Sequence, residues 1–288
     1  MSGGDGAGPA RTIDGRAIAA ALRTETASRV EALRAGGVVP TLAVVVPTRD
    51  ESTAWYVRSI ANAAAKVGLG CLVEQLDDAD VGTVRNRLAA LSADPQVHGL
   101  ICQTPLPAGV GLADVGDSID PAKDVDGANP VSAGRLLAGR STFAPATAAA
   151  VLEILRRERV PLSGARVAVV GRSIVVGKPV ALLLLAENAT VTICHSRTHH
   201  LPTVTREADV LVAAVGRAAI IGADYVRPGA VVIDVGTNPT PEGGLVGDVD
   251  ADAIAAVAGA LTPVPGGVGP VTTQLLLAQT VTAAQRSV

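Results

Sequence analysis

The sequence predicts an α/β protein of two domains, each built on a parallel sheet. Three observations predict it. Strand-like apolar runs alternate with helix-like stretches. The runs are continuous rather than alternating in polarity, as strands covered by helices on both faces require. The alternation ends near residue 146 and then restarts with a strand, a glycine turn and a helix. The 288 residues suffice for two cores, and a hydrophobic share of 48% supplies them.

The opening "MSGGDGAGPAR" is Gly-rich and lacks an apolar signal core, so residues 1–11 are expected to be a disordered lead. "TLAVVVPT" (41–48) is a buried strand, followed by an amphipathic helix from about Ser52 to Val67. "GCLVEQL" (70–76) is the second strand and "VGTVRNRLAALSAD" (81–94) the second helix. "HGLICQTPLPAG" (98–109) is a strand that stops at a Pro-rich loop, and "DPAKDVDGANP" (120–130) is a loop dense in turn residues and acids. "TAAAVLEILRRERV" (147–160) is a connecting helix. The second half offers strands at 165–171, 189–196, 208–216 and 229–236, with a helix at 177–188 after the first of them. "TPVPGGVGPVTTQLLLAQTVTAA" (262–284) is a Gly/Pro loop feeding a last helix, expected to pack back on the first domain. The domains are therefore read as 12–146 plus 271–288, and 147–270.

Composition excludes several classes. Net charge is −3, the isoelectric point is about 5.8, and no basic stretch is interleaved with aromatics, so no nucleic-acid partner is expected. Cys71, Cys102 and Cys194 are odd in number, far apart and without CxxC spacing. They read as buried apolar residues of a reducing compartment, with neither a disulfide framework nor a metal site. No uninterrupted apolar run reaches the ~18 residues of a membrane span, and a cytoplasmic protein is expected. Lysines are few, at Lys66, Lys123 and Lys178. A lysine needed for chemistry has few places to come from.

"VAVVGRSIVVGKP" (167–179) is a strand, a glycine turn and a helix start, the context in which backbone N–H groups and a helix N-terminus face a pyrophosphate. Gly171 and Gly177 are six apart, which departs from GxGxxG, so the turn alone does not distinguish a nucleotide site from a plain strand-to-helix turn. The next strand ends "CHSRTHH", without the Asp or Glu that binds a ribose 2′-hydroxyl in NAD-specific folds. Ser196, Arg197 and Thr198 stand there instead, with Arg172 in the first turn; such groups suit a 2′-phosphate, and the cofactor is read as NADP. Arg197 taken singly reads as a solvated surface residue.

With "IDGRAIA", "PLPAG", "KDVDG", "PGAVVIDVGTN", "VGDV" and "TPVPGGVGPVT" added in order, the chain resembles the bifunctional methylenetetrahydrofolate dehydrogenase–cyclohydrolase family from about residue 12 to its end. The resemblance implies an N-terminal α/β domain, a C-terminal Rossmann-type NADP-binding domain and folate in a cleft between them. It implies oxidation of 5,10-methylenetetrahydrofolate to the methenyl form and hydrolysis of that to 10-formyltetrahydrofolate. It also implies a homodimer. Tyr56 matches the tyrosine that stacks on the pterin side, Gln103 the glutamine that works with a catalytic lysine, and Asp126 the aspartate that binds the pterin edge. Gly171, Arg172, Ser173, Val176, Gly177 and Ser196 match cofactor contacts, Thr237 stands at a further cofactor position where the family has an isoleucine, and Pro265, Gly266, Gly267 and Pro270 match the loop lining the folate. No metal is implied.

One departure bears on chemistry. Where the family reads Tyr-Val-x-x-Lys, "YVRSI" places Ile60 at the lysine. Setting Trp55 at the tyrosine instead puts Ser59 there, so the base is missing in either register. Hydride transfer asks the protein mainly to position its reactants, whereas hydrolysis needs an activated water. Three readings stay open: a dehydrogenase with hydrolysis lost or reduced, a bifunctional enzyme using another base, and a catalytically silent folate- or NADP-binding protein.

Overall fold

The computed structural model describes residues 9–77 and 79–288. Among them the elements run β1 (Arg11–Thr12), α1 (Gly15–Ala35), β2 (Thr41–Val46), α2 (Glu51–Lys66), β3 (Gly70–Gln75), α3 (Val81–Ala93), β4 (Gly99–Cys102), α4 (Leu112–Gly116), α5 (Pro130–Leu137) and α6 (Ala146–Arg157). They continue with β5 (Arg166–Val170), α7 (Gly177–Ala186), β6 (Thr190–Cys194), α8 (Leu201–Thr205), β7 (Val210–Ala213), a 3₁₀ turn at Ala223–Tyr225 and β8 (Val231–Asp234). The last are β9 (Asn238–Pro239), β10 (Leu245–Val246), α9 (Ala251–Ile254), β11 (Ala260–Leu261) and α10 (Val268–Arg286). The described residues divide into two compact units: an N unit of residues 19–146 and 272–288, and a C unit of 9–18 and 147–271.

In the N unit three parallel strands lie in the order β3-β2-β4. The central strand explains its own sequence. Leu42, Val44 and Val46 enter a core with Val57, Ile60 and Ala64 of α2 and Leu277 and Val281 of α10. Ala43 and Val45, on the opposite face, pack with Val84, Leu88 and Leu91 of α3. Successive residues of a strand point to opposite faces, so a strand buried on both reads as an unbroken apolar run. Both helices begin at aspartate caps: Asp50 accepts the Thr53 N–H at 2.8 Å, and Asp80 the Thr83 N–H at 2.7 Å.

In the C unit the strands of the main sheet run β1-β11-β8-β7-β5-β6, all parallel. From β5 the chain crosses to β6 on one side, then returns to β7 on the other. The C-terminal ends of β5 and β7 thus form the point where strand order reverses, the usual ligand crevice of an open α/β sheet. Two buried carboxylates hold the loops there. Asp248 accepts the N–H groups of Val215, Gly216 and Arg217, after β7, and the Asn238 side-chain amide at 2.9 Å. Asp234 accepts N–H groups from Gly236, Asp248 and Val249 at 2.9–3.0 Å. The stretches "IDVGTN" and "VGDV" are thereby one hydrogen-bonded assembly.

The structure departs from the sequence reading in several places. Helix α1 is absent from the sequence reading; Ile18, Leu22, Thr26 and Val30, among its buried residues, recur every four residues with a threonine among them. Arg11 is not part of a lead but sits in β1, paired with Ala260 of β11, and residues 9–18 group with the C unit rather than with 19–146. Residues 1–8 of the expected lead lie outside the described residues. The strand read at the start of 98–109 is Gly99–Cys102, and it stops ahead of the Pro-rich loop as read, because Pro105 and Pro107 cannot donate to a ladder. The three cysteines are free, Cys102 and Cys194 buried and Cys71 half-buried. Among the described residues, no helix is long and apolar enough to cross a membrane and no cluster of ligating side chains could hold a metal.

Asp248→Ala is expected to strand four donors in the loops after β7 and β8. A loss of roughly 3 kcal/mol or more in unfolding free energy should follow, by the cost of unsatisfied buried donors. Urea unfolding read by far-UV circular dichroism measures it; a change within ~0.5 kcal/mol would remove Asp248 from its structural role.

Candidate active site

Three of the anticipated residues lie in the N unit: Tyr56 is near enough to feel the charge of Asp126, and Gln103 directly follows β4. Tyr56 lies in the second turn of α2, half-buried against the core, with its phenol hydrogen-bonded to the Thr273 side chain. Burial, with the nearby negative charge of Asp126, raises its pKa well above that of a free tyrosine, so the hydroxyl stays neutral. Gln103 continues β4 past its end, its N–H donating to the Val45 carbonyl at 2.8 Å.

The two aspartates of "KDVDG" divide their work. Asp124 is fully buried and staples the loop, accepting the N–H groups of Ala128 (2.8 Å) and Asn129 (2.9 Å) and the Ser132 hydroxyl (2.6 Å). Asp126 accepts the Ala146 N–H at 2.8 Å through Oδ1, and its Oδ2 accepts none from the described residues. Burial, reinforced by the charge of Asp124, pushes the Asp126 pKa up to about 6 against the pull of that one bond. Gly127 follows at φ +63°, where an added Cβ would come within 2.7 Å of Pro145. Gln279 of α10 donates to the Val125 carbonyl at 2.6 Å and to that of Ala144 at 3.2 Å, fixing both sides of this loop.

The position expected to hold a base is sealed. Ile60 has no exposed surface and packs in the core behind Tyr56. The lysines of the N unit are engaged or remote. Lys123 donates through Nζ to the Asp94 carbonyl at 2.6 Å, and burial lowers its pKa. Lys66 lies exposed on another face of α2, in a surface pocket with Trp55, Arg58 and Ser59. Trp55 is 62% exposed, so it is Tyr56 and not Trp55 that meets Asp126.

In the C unit the turn after β5 can form only with glycine. Gly171 has φ +133°, and a Cβ there would lie 2.1 Å from the Ala214 carbonyl oxygen, across the reversal point. A Cβ on Gly177 would lie 2.2 Å from the Gly171 oxygen, so the first turn of α7 folds directly onto the strand end. Ser173 Oγ accepts the N–H groups of Val176 (3.1 Å) and Gly177 (3.4 Å), shaping the loop. The Gly171 N–H donates to the Cys194 carbonyl at 2.9 Å, which sets Arg172 beside Ser196 at neighbouring strand ends, both exposed. Thr237, exposed after β8, is separated from this turn by β7.

The loop of Pro265, Gly266, Gly267 and Pro270 meets the start of α1. A Cβ on Gly15 would fall 1.8 Å from the Gly267 oxygen, and the Arg16 guanidinium lies over Gly266, which has φ +113°. "IDGR" and "PGGVG", nearly the length of the chain apart, therefore require each other's glycines.

Comparison with known proteins bears directly on this arrangement. Residues 13–126 match the family model for tetrahydrofolate dehydrogenase/cyclohydrolase, catalytic domain, and residues 145–288 that for its NAD(P)-binding domain. The chain belongs to the tetrahydrofolate dehydrogenase/cyclohydrolase family. Among relatives, the bifunctional protein FolD of Parafrankia sp. (strain EAN1pec) is 63% identical over 274 residues, 95% of this chain and 99% of that protein. Among solved structures, the bifunctional FolD enzyme of Campylobacter jejuni superposes with a TM-score of 0.93 at 35% identity, over 96% of this chain and 99% of that one. FolD of Trypanosoma brucei, solved with NADP and an inhibitor, gives 0.92 at 37% identity, over 97% and 98%. In family terms, Tyr56, Gln103 and Asp126 fall within the catalytic-domain match, and the glycine turn with Arg172 and Ser196 within the NAD(P)-binding match. Thr273, bonded to Tyr56, went unnoticed in the sequence because a threonine near the start of a helix carries no signal until its neighbour is known.

Proposed function

We propose that this protein oxidises 5,10-methylenetetrahydrofolate to 5,10-methenyltetrahydrofolate with NADP⁺, and that its hydrolysis of the methenyl product is lost or strongly reduced. The observation that carries the proposal is the closed, apolar setting of Ile60, together with the commitment of Lys123 to a backbone carbonyl. Arg58 is exposed on α2 and a guanidinium does not act as a base. The full bifunctional reading is favoured by the 63% identical relative that bears that name, and it requires a base other than residue 60.

Each group has a defined task in the oxidation. The Tyr56 ring offers a flat face to the folate, and Asp126 offers the N–H groups of the pterin edge the carboxylate oxygen that accepts no hydrogen bond from the described residues. Gln103 orients the carbon that reacts. The glycine turn and the N-terminus of α7 suit a pyrophosphate, and Arg172 with Ser196 suits the 2′-phosphate. NADP⁺ supplies the hydride acceptor. The folate nitrogen lone pair drives the hydride out, so no protein base is needed for this half of the chemistry. A homodimer and a cytoplasmic location complete the reading. NADPH formation on addition of methylenetetrahydrofolate tests it; a protein that binds both compounds without turnover would contradict it.

Arg172→Ala should weaken NADP⁺ roughly tenfold to a hundredfold, the scale of a charge-assisted hydrogen bond, and leave NAD⁺ nearly unchanged. Titration calorimetry with both nucleotides decides this, and equal losses would remove the 2′-phosphate role.

Asp126 predicts a pH dependence. Its carboxyl is protonated below about pH 6 and ionised above, and only the ionised form keeps Oδ2 a charged acceptor for the N–H groups of the pterin while Oδ1 holds the Ala146 N–H. The KM for folate should therefore fall as pH rises through about 6 and then level off. Asp126→Ala should fold and bind NADP⁺ while losing most folate-dependent turnover. A variant that unfolds, with full specific activity in its folded fraction, would make Asp126 a turn residue only.

A further inference from the structure

Strand β6 ends at Cys194, on the edge of the main sheet of the C unit, and residues 195–198 follow it as a tight turn. Three hydrogen bonds close that turn. The Thr198 N–H donates to the His195 carbonyl at 2.8 Å, the bond that spans a β-turn. The His195 N–H donates to Thr198 Oγ1 at 2.9 Å. The Arg197 N–H donates to His195 Nδ1 at 3.2 Å. An imidazole here fills the place that Asp or Asn usually fills, accepting from the backbone two residues on. A nitrogen that accepts carries no proton, so the ring proton of His195 sits on Nε2.

Every backbone donor of the turn can be followed. Those of His195, Arg197 and Thr198 are used inside it. Among the described residues, the Ser196 N–H and hydroxyl have no partner. Ser196 is exposed beside Arg172, because the Gly171 N–H joins the Cys194 carbonyl at 2.9 Å. No carboxylate among the described residues lies within 4 Å of Arg172 or Arg197. The strand end thus presents two unused donors and an unpaired guanidinium where an open α/β sheet reads the ribose 2′ substituent. We propose that His195 is a positioning residue for the choice between NADP⁺ and NAD⁺. Its Nδ1 holds the Arg197 N–H, and the turn so fixed presents both donors of Ser196 to the 2′-phosphate. The proposal rests on the 2′-phosphate reading of Arg172 and Ser196. His195 itself touches no nucleotide in this role. Without its acceptor the turn samples other arrangements, and the apparent affinity for the phosphate falls with the fraction that remains competent. NAD⁺ has a hydroxyl there and no phosphate for the turn to hold.

The test measures Kd for NADP⁺ and NAD⁺ by titration calorimetry on paired variants of the full chain. His195→Leu keeps the branch at Cγ and removes the acceptor. It should weaken NADP⁺ roughly threefold to tenfold, the scale of one hydrogen bond, and leave NAD⁺ nearly unchanged. His195→Asn sets Oδ1 in the place of Nδ1 and should restore the wild-type ratio of the two Kd values. Thr198→Val removes the acceptor of the His195 N–H and should act like His195→Leu, whereas Thr198→Ser should act like the wild type. A turn that matters for stability alone would lower the melting temperature and leave the ratio as it is, and that result would overturn the proposal. Equal losses for both nucleotides would overturn it as well. Arg172→Ala separates the turn from the reading beneath it. A ratio changed by Arg172→Ala and not by His195→Leu would remove the role of the turn alone. A ratio changed by neither would remove the 2′-phosphate reading together with it.

Discussion

The packing of α2 against the sheet of the N unit is the contact on which the candidate chemistry depends. Val57, Ile60 and Ala64 seat the helix on Leu42, Val44 and Val46. Burial of such side chains is worth about 1.5–3 kcal/mol each, which fixes the helix's rotation about its own axis. That rotation decides everything else along it. Tyr56 is held toward Thr273 and Asp126, and Ile60 is held in the core where it can move no proton. Trp55, Arg58 and Lys66 are left on a separate, cationic face. One helix thus presents a half-buried aromatic, a sealed apolar position and a cationic face, separated by turns of about 100° per residue.

The C unit reaches its geometry by a different constraint, the close approach of backbone to backbone. Gly171 and Gly177 admit no Cβ, and Gly15 meets Gly267 with no room between them. Buried carboxylates take the place that secondary structure fills elsewhere. Asp234 and Asp248 satisfy loop N–H groups that no strand partner could reach, as Asp124 does in the N unit. Oxygens used in this way are withdrawn from chemistry, whereas Asp126 keeps one oxygen without a donor among the described residues.

Much of this was legible in the sequence, for physical reasons. Strands buried on both faces write themselves as apolar runs, so β2, β5 and β7 were readable, and the restart after residue 146 announced the second sheet. Helix α1 was not readable, because Thr26 interrupts its apolar stripe and its other faces are small or charged. Two-residue strands such as β1 and β11 carry no period at all. At the site, the strand–turn–helix setting singled out the glycine turn, and the family resemblance pointed to Tyr56, Gln103 and Asp126. The division of labour between Asp124 and Asp126 was hidden, since both occupy one short motif and only their hydrogen bonds tell them apart. The engagement of Lys123 was hidden likewise, because its partner is a backbone carbonyl, which has no letter in the sequence.

The central claim is that a positioned folate and a nucleotide suffice for oxidation, whereas hydrolysis lacks its base. The direct measurement is a time course of the wild-type protein with methylenetetrahydrofolate and NADP⁺, following NADPH, methenyltetrahydrofolate and 10-formyltetrahydrofolate together. General-base assistance contributes typically ~10²–10⁴-fold. The account predicts that the methenyl compound accumulates in step with NADPH and then decays at close to its protein-free rate. Conversion to the formyl compound as fast as NADPH forms would contradict it, and would mean that another group activates the water.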